Sequence, residues 1–156
     1  ATANGGGIFL DTGGSLTMNG GSITGNSATA NGGGIFLDTG GSLTMSGGSI
    51  TANSATENGG GIFNVGSLTL NSGSILSNAA KNGGGIYNSD EGTLSYYNIP
   101  ISGNSATELG DNYYAEAGST TTGNGITSQF TPAVWSQQSV TPTTDQAIDD
   151  DLPSWS

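Results

Sequence analysis

The chain has 156 residues, 29 of them glycine, and its twelve acidic side chains face a single cation, Lys81, for a net charge of −11. This charge argues against binding to nucleic acid or to an anionic membrane surface, because both partners need Lys and Arg side chains. The lack of cysteine excludes disulfides and thiolate metal sites. No apolar run approaches the length of a membrane span, so membrane insertion is not expected. The many small hydroxylated residues indicate a secreted protein at an extracellular or cell surface.

A recurring Asn-Gly-Gly-Gly-Ile motif, the glycine motif, divides most of the chain into blocks. The motif begins at Asn4, Asn31, Asn58 and Asn82. These starts are 27, 27 and 24 residues apart and define blocks 1–27, 28–54, 55–78 and 79–105. A partial fifth block, 106–117, carries Asp-Asn-Tyr-Tyr at 111–114 in place of the motif. Residues 1–117 are therefore predicted to form one repeat domain.

Each block contains three short apolar segments, which in the first block are GIFL, SLTM and SIT. Segments of this length, separated by Gly, Ser, Asn and Asp, predict strands, and the glycine content disfavours helix. Three strands and three turns in 24–27 residues predict one coil of a parallel β-helix. The expected fold is all-β: a single-stranded parallel β-helix, or solenoid, of four to five coils stacked about 4.8 Å apart.

Stacked coils place each residue over its equivalent in the next coil, so the repeated apolar positions are expected to form inward ladders. These ladders are Ile8/Ile35/Ile62/Ile86, Leu16/Leu43/Leu68/Leu94, Met18/Met45/Leu70/Tyr96 and Ile23/Ile50/Ile75/Ile101. The aromatic residues after the motif isoleucines are expected to point outward, as the ladder Phe9/Phe36/Phe63/Tyr87. A fourth kind of ladder, of side-chain amides at a turn, is expected from Asn26, Asn53, Asn78 and Asn104.

Residues 118–156 no longer follow the repeat. They contain Thr and Ser runs, three prolines and separated apolar residues, among them Phe130, Trp135 and Trp155. This pattern predicts an extended C-terminal arm that contacts a neighbouring subunit. Stacking of the two tryptophans on a glycan is the alternative interpretation.

The glycine motif resembles the repeats of right-handed parallel β-helices in bacterial surface proteins. The nearest family is the polymorphic outer-membrane adhesins of the autotransporter type, whose repeats carry a motif similar to Gly-Gly-Ala-Ile. The GGGI sequence matches that motif at residues 6–8, 33–35, 60–62 and 84–86. The second word of that family, Phe-x-x-Asn, is absent. The resemblance covers residues 1 to about 114 and implies a secreted, surface-exposed protein with a role in adhesion or structure.

No catalytic site is predicted, and the chain is expected not to be an enzyme. A polysaccharide lyase needs a strong base, and the only cation, Lys81, lies in a predicted turn. A glycosidase needs two carboxylates about 5–9.5 Å apart. Asp11 and Asp38 could meet that spacing on adjacent coils, but solvated turn residues copied with the repeat account for them better.

No cofactor is expected, apart from a structural calcium ion as an open alternative. Its candidate ligands are Asp11 with Asp38, or the acidic cluster at 145–151. Neither set matches a known calcium motif. A row of outward threonines at 17, 44 and 69 would suit an ice-binding face, but Ser95 interrupts it and threonine is common in strands.

Two functional hypotheses remain. The first is a structural subunit that stacks head to tail into a filament or surface fibre, because the first block has no atypical capping sequence ahead of it. Its contact residues would be Ile8, Leu16, Met18, Ile23, Tyr113, Tyr114, Phe130, Trp135 and Trp155. The second is an adhesin or binding module, a piece of a larger β-helical surface protein, that recognises a host or glycan surface by its outer ladder.

Overall fold

The computed structural model describes residues 3–97 and 99–124, together with the backbone of residues 146–148. Sixteen strands, numbered β1 to β16 in chain order, lie within these ranges. No helix occurs among them, so this part of the chain contains no helix able to cross a membrane. The predicted fold is confirmed: the protein is an all-β parallel solenoid of about four full coils and a partial fifth.

Three sheets run along the solenoid. Sheet A contains β1 Ile8–Leu10, β4 Ile35–Leu37, β7 Ile62–Asn64, β10 Ile86–Asn88 and β14 Tyr113–Ala115. Sheet B contains β2 Ser15–Thr24, β5 Ser42–Thr51, β8 Ser67–Leu76, β11 Thr93–Tyr97 and β15 Thr120–Asn124, with β12 Ile101–Ser102 beside β8. Sheet C contains β3 Ser27–Ala28, β6 Ser54–Ala55, β9 Ala79–Asn82 and β13 Ser105–Leu109.

The four inward ladders are confirmed, because like residues pair with like between coils. Ile8 pairs with Ile35, Leu16 with Leu43 and Ile23 with Ile50, and the same registers continue into the third and fourth coils. The members in coils two to four are buried and form one continuous core. Burial of each such aliphatic side chain stabilises the fold by about 1.5–3 kcal/mol before chain entropy is counted.

The predicted strand boundaries within a coil are partly wrong. SLTM and SIT do not form two strands, because both belong to the ten-residue strand β2, whose register with β5 shifts between Met18 and Ser22. Gly21 has a φ of 79°, which bends the strand without ending it. The third sheet is instead built from Ser27–Ala28 and its equivalents, in which the small Ala28 faces the core. A two-residue, largely polar strand gives no hydrophobic period that could reveal it.

The deletion in the third block falls in a turn, as predicted. In the second coil Gly41 N–H donates to Asp38 C=O at 2.8 Å and closes a four-residue turn between sheets A and B. The shorter third coil replaces that turn with a bond from Gly66 N–H to the side-chain oxygen of Asn64 at 3.1 Å. The pairing of β5 with β8 stays in register on the far side.

The repeat extends beyond the expected end at residue 117. Strand β15, Thr120–Asn124, pairs in parallel with β11 and places Thr121 beside Leu94, so it belongs to the fifth coil. A threonine at an inward position carries no hydrophobic signal, which is why the sequence pattern missed this strand. Farther along, β16, Gln146–Ile148, pairs antiparallel with β14 at the end of sheet A.

Candidate functional site

The N-terminal surface of coil one, the coil-one face, differs from the interior in its exposure. Ile8, Leu16 and Ile23 are only partly buried, whereas their equivalents in the second coil have 0–1% of their surface exposed. Beside them, Met18 is buried. These four residues line a shallow open depression of about 340 Å³, together with the Gly20-Gly21 stretch of β2. The structure therefore brings the four predicted first-coil contact residues together on one apolar surface.

The coil-one face also presents three sheet edges. β1, β2 and β3 are each the terminal strand of their sheet. A terminal strand carries a row of backbone N–H and C=O groups without a strand partner on one side, which is a template for pairing with another chain. The ten residues of β2 contain no charge and no proline, the two sequence devices that most often prevent such pairing.

The predicted aromatic ladder is present and gains a fifth ring. Ring centroids are 4.9 Å apart for Phe9–Phe36, 5.0 Å for Phe36–Phe63 and 5.1 Å for Phe63–Tyr87, and Tyr114 adds a tilted ring at 5.0 Å. Stacking covers the faces of the inner rings: Phe36 is only 7% exposed, and Phe63 is partly buried. Phe9 ends the stack and is 46% exposed, which makes it a large apolar group available at the coil-one face.

The predicted amide ladder is confirmed, and it is buried. The side-chain nitrogen of Asn26 donates to the side-chain oxygen of Asn53 at 3.0 Å, Asn53 donates to Asn78 at 3.0 Å, and Asn78 donates to Asn104 at 2.9 Å. The backbone N–H of each residue donates to the same oxygen. Burying these amides is tolerated because their hydrogen bonds are made within the stack.

The third glycine of each motif is required by this ladder. A Cβ on Gly34 would lie 3.1 Å from the side-chain nitrogen of Asn53 and 2.6 Å from the backbone oxygen of Gly61 in the next coil. The equivalent Gly61 and Gly85 are as crowded. Any side chain at these positions would push against backbone, which cannot move aside, so the motif and the amide ladder are one packing unit.

A second amide ladder, which sequence reasoning missed, joins the first residues of the glycine motifs. Asn31 donates to Asn4 at 3.3 Å, Asn58 donates to Asn31 at 2.9 Å, and Asn82 donates to Asn58 at 2.9 Å. Its donors point toward coil one, whereas those of the first ladder point away from it. The invariant asparagine of the motif was the available signal. The ladder ends at Leu109, which pairs with Asn82, and the side-chain oxygen of Asn82 is left buried without a partner.

The C-terminal end of the solenoid is built differently from the coil-one face. In coil five the second and third motif glycines are replaced by Asp111 and Asn112, whose side chains accept hydrogen bonds from Ala106 and Asn104. Asn112 Oδ1 accepts from the backbone N–H of Asn104 at 3.4 Å and from its side-chain amide at 3.1 Å. Asp111 Oδ1 accepts from Ala106 N–H at 2.6 Å. These oxygens stand in for a further strand of sheet C, and β16 covers the edge of sheet A.

The two tyrosines predicted as contact residues are buried within the chain itself. The Tyr113 hydroxyl bonds to that of Thr121, and the Tyr114 ring packs on Tyr87, so both are almost fully covered. Burial raises the pKa of the Tyr113 phenol well above its usual range, and burial beside Tyr113 does the same for Tyr96. Phe130, Trp135 and Trp155, the predicted arm contacts, lie outside the described residues.

The candidate calcium ligands are engaged in their own turns. Asp11 Oδ1 accepts from Thr12 N–H at 2.7 Å, and Asp38 Oδ1 accepts from Thr39 N–H at 2.8 Å. Across residues 3–97 and 99–124, no group of three or more metal-binding side chains comes together. The acidic cluster at 145–151 has no described side chain. The lone cation, Lys81, lies 3.6 Å from Glu108 in an exposed ion pair.

The fold defines the class: a parallel β-solenoid repeat protein. Comparison with protein-family models, with curated proteins and with solved structures gives no match for the chain. The likeness of the glycine motif to surface adhesin repeats therefore stays an interpretation of the sequence alone.

Proposed function

We propose that this chain is a non-catalytic structural protein of an extracellular or cell surface, which assembles end to end through its coil-one face. The observation that carries the proposal is the exposed apolar edge formed by Ile8, Leu16, Ile23 and the open ring of Phe9. Each of these side chains is followed in coil two by an identical residue that a neighbouring coil buries. A second molecule that covers the face would bury them in the same way.

The contacts between neighbouring coils inside the solenoid indicate how strong an end-on contact at the coil-one face would be. Each of the three junctions between coils one and four combines strand pairing in three sheets, one ring stack and at least two amide bonds. A block of 27 residues is also the size of one side of a standard protein interface, which is about 20–30 residues. End-on association could therefore use the same kinds of contact that already join neighbouring coils.

The outer aromatic ladder favours this structural role over the alternative of an adhesin. A ligand-binding ladder needs exposed ring faces, and the faces of Phe36 and Tyr87 are covered by the neighbouring rings of the stack, which leaves each residue only 7% exposed. The ring face that remains open is that of Phe9, at the end where assembly is proposed. Recognition of a host or glycan surface would have to use other parts of the molecule.

The test is a pair of matched substitutions followed by sedimentation velocity. Phe9→Lys places a charge on the coil-one face, and Tyr97→Lys places the same charge on β11, at a residue of equal exposure, 47% against 46%. Phe9→Lys is expected to lower the sedimentation coefficient to that of a single chain, while Tyr97→Lys leaves the assembly of the unmodified protein intact. Equal behaviour of both variants would count against the coil-one face.

A further inference from the structure

Asparagine followed by glycine is the dipeptide most prone to spontaneous loss of the side-chain amide, because glycine has no Cβ to hinder attack by its backbone nitrogen. Asn-Gly occurs six times in the chain: four times at the start of the glycine motif, once at Asn19 and once at Asn124. We infer that Asn19 is a modification site, at which the folded chain deamidates in water, and that the fold protects the motif asparagines. The glycine after Asn124 lies outside the described residues.

The modification is a cyclisation followed by hydrolysis, and it needs only water. The Gly20 nitrogen gives its proton to solvent and attacks Cγ of Asn19. The new N–C bond closes a cyclic imide, and the Cγ–Nδ2 bond breaks to release ammonia. Water then adds to one of the two ring carbonyls and opens the ring, which gives aspartate or isoaspartate. Either product adds one carboxylate to β2, a strand that has no charged residue.

The four motif asparagines are protected because the attacking nitrogen is held in a hydrogen bond. The backbone N–H of each following glycine donates to a carbonyl oxygen of the next coil: Gly5 to Asn31 at 3.0 Å, Gly32 to Asn58 at 2.9 Å, Gly59 to Asn82 at 2.9 Å and Gly83 to Leu109 at 2.8 Å. The asparagine side chains are themselves joined in the second amide ladder. Cyclisation in the motif must therefore break a bond between coils and disturb that ladder.

Neither kind of bond holds Asn19. Its side chain is exposed, and no side-chain hydrogen bond joins it to the described residues. The pairing of β2 with β5 passes from Asn19 directly to Ser22 and skips the two glycines between them. The equivalent residues Ser46 and Asn71 are exposed too, although strands lie on both sides of β5 and β8. The exposure of Asn19 is therefore a property of this point in the repeat and not of the first coil.

The rates of deamidation at the Asn-Gly pairs test the inference. The protein is kept folded in mildly alkaline buffer, sampled over weeks, digested with pepsin at acid pH and measured by mass spectrometry. The peptide that contains Asn19 should gain the mass difference between NH and O and should separate into aspartate and isoaspartate forms. The motif peptides should react at least about tenfold more slowly, a ratio that corresponds to about 1.4 kcal/mol of local opening. Equal rates at Asn19 and in the motif would overturn the inference.

Two substitutions and an unfolded control separate the mechanism from simple exposure. Gly20→Ala adds a methyl group beside the attacking nitrogen and meets no atom within 4 Å, so it should slow the reaction several-fold without unfolding the protein. Asn19→Ser supplies the residue of the second coil and should leave the β2 peptide unchanged in mass. In urea the motif asparagines should react as fast as Asn19. An unchanged rate in Gly20→Ala, or continued protection of the motif in urea, would contradict the mechanism.

Discussion

The side-chain amide of Asn104 donates to Oδ1 of Asn112 at 3.1 Å, and this bond closes a buried ladder of amides that starts at Asn26 in coil one. Asn112 occupies the position at which the preceding four coils have glycine. A single change of glycine to asparagine within the repeat therefore ends the amide ladder. At this end of the solenoid, side chains therefore take the place of a further strand of sheet C, while β15 is the terminal strand of sheet B.

Replacing Asn112 with glycine restores the repeat residue and should destabilise the protein. The change removes the acceptor of the buried backbone N–H of Asn104 and of one of its amide N–H bonds, while the amide nitrogen keeps its bond to the backbone oxygen of Ile75. An unsatisfied buried donor costs about 1–3 kcal/mol. The free energy of unfolding from urea titration measures the effect. Unchanged stability would show that Asn112 does not close the ladder.

Removing a central member of the ladder should cost more than removing an exposed asparagine. Asn78→Ala removes the acceptor of the backbone N–H of Asn53 and of one of its two amide N–H bonds, and it removes one of the two donors to the Asn104 oxygen. With two or more buried groups affected at about 1–3 kcal/mol each, a loss of about 2–5 kcal/mol is expected. The control is Asn71→Ala on β8, an exposed site where the change should stay within about 0.5 kcal/mol.

The crowding of the motif glycines predicts a sharp contrast between two Gly-to-Ala substitutions. Gly61→Ala puts a methyl group 2.6 Å from the backbone oxygen of Gly85 and should cost about 1–3 kcal/mol or more through overpacking. Gly20→Ala meets no atom within 4 Å and should be nearly neutral. Thermal unfolding of the two variants provides the comparison. A similar loss for both would contradict the packing role of the motif.

The ring stack predicts a graded effect along the outer ladder. Phe63 has a ring on each side, whereas Phe9 has one, and each aromatic pair adds about 0.5–1.5 kcal/mol beyond area burial. Phe63→Leu should therefore lower the unfolding free energy about twice as much as Phe9→Leu. The comparison is made on dilute protein, so that assembly at Phe9 does not contribute. A larger loss at Phe9 than at Phe63 would contradict the stack.

Burial of two phenols predicts alkaline destabilisation. The pKa values of Tyr96 and Tyr113 are raised in the folded chain by burial, so the folded state keeps both protons after the unfolded chain has begun to release them. Their contribution is complete below the ordinary tyrosine pKa of about 10 and is lost as pH rises above it. Urea unfolding at pH 8 and pH 11 should show lower stability at the higher pH. Phe at both positions should reduce the difference.

Much of the fold could be predicted from the sequence, because the coils repeat one pattern and the positions inferred for one coil apply to the others. The inward positions of Ile35, Leu43 and Ile50 could be predicted, since stacked coils place like on like and only apolar residues recur there. The side-chain amide ladder at Asn53 followed from the same reasoning. These predictions rest on position within the repeat and need no knowledge of distances.

The rest depended on local geometry that a hydrophobic period does not carry. The two-residue strand β3 directs only the small side chain of Ala28 toward the core. Thr121 occupies an inward position, where its hydroxyl forms a hydrogen bond with that of Tyr113. The role of Asn112 as the last acceptor of the amide ladder could not be predicted, because it depends on the space that the motif glycine leaves beside Asn104. The apolar residues of the coil-one face could be identified from the sequence, but the side-chain bonds of Asp111 and Asn112 at the opposite end could not.

The molar mass of the unmodified chain as a function of concentration tests the central claim most directly. Light scattering is measured at low and at physiological ionic strength, because a net charge of −11 opposes association until salt screens it. The account predicts a rise above the 15.3 kDa of one chain as the concentration increases, at lower concentration when salt is present. A mass of one chain at every concentration and ionic strength would contradict assembly through the coil-one face.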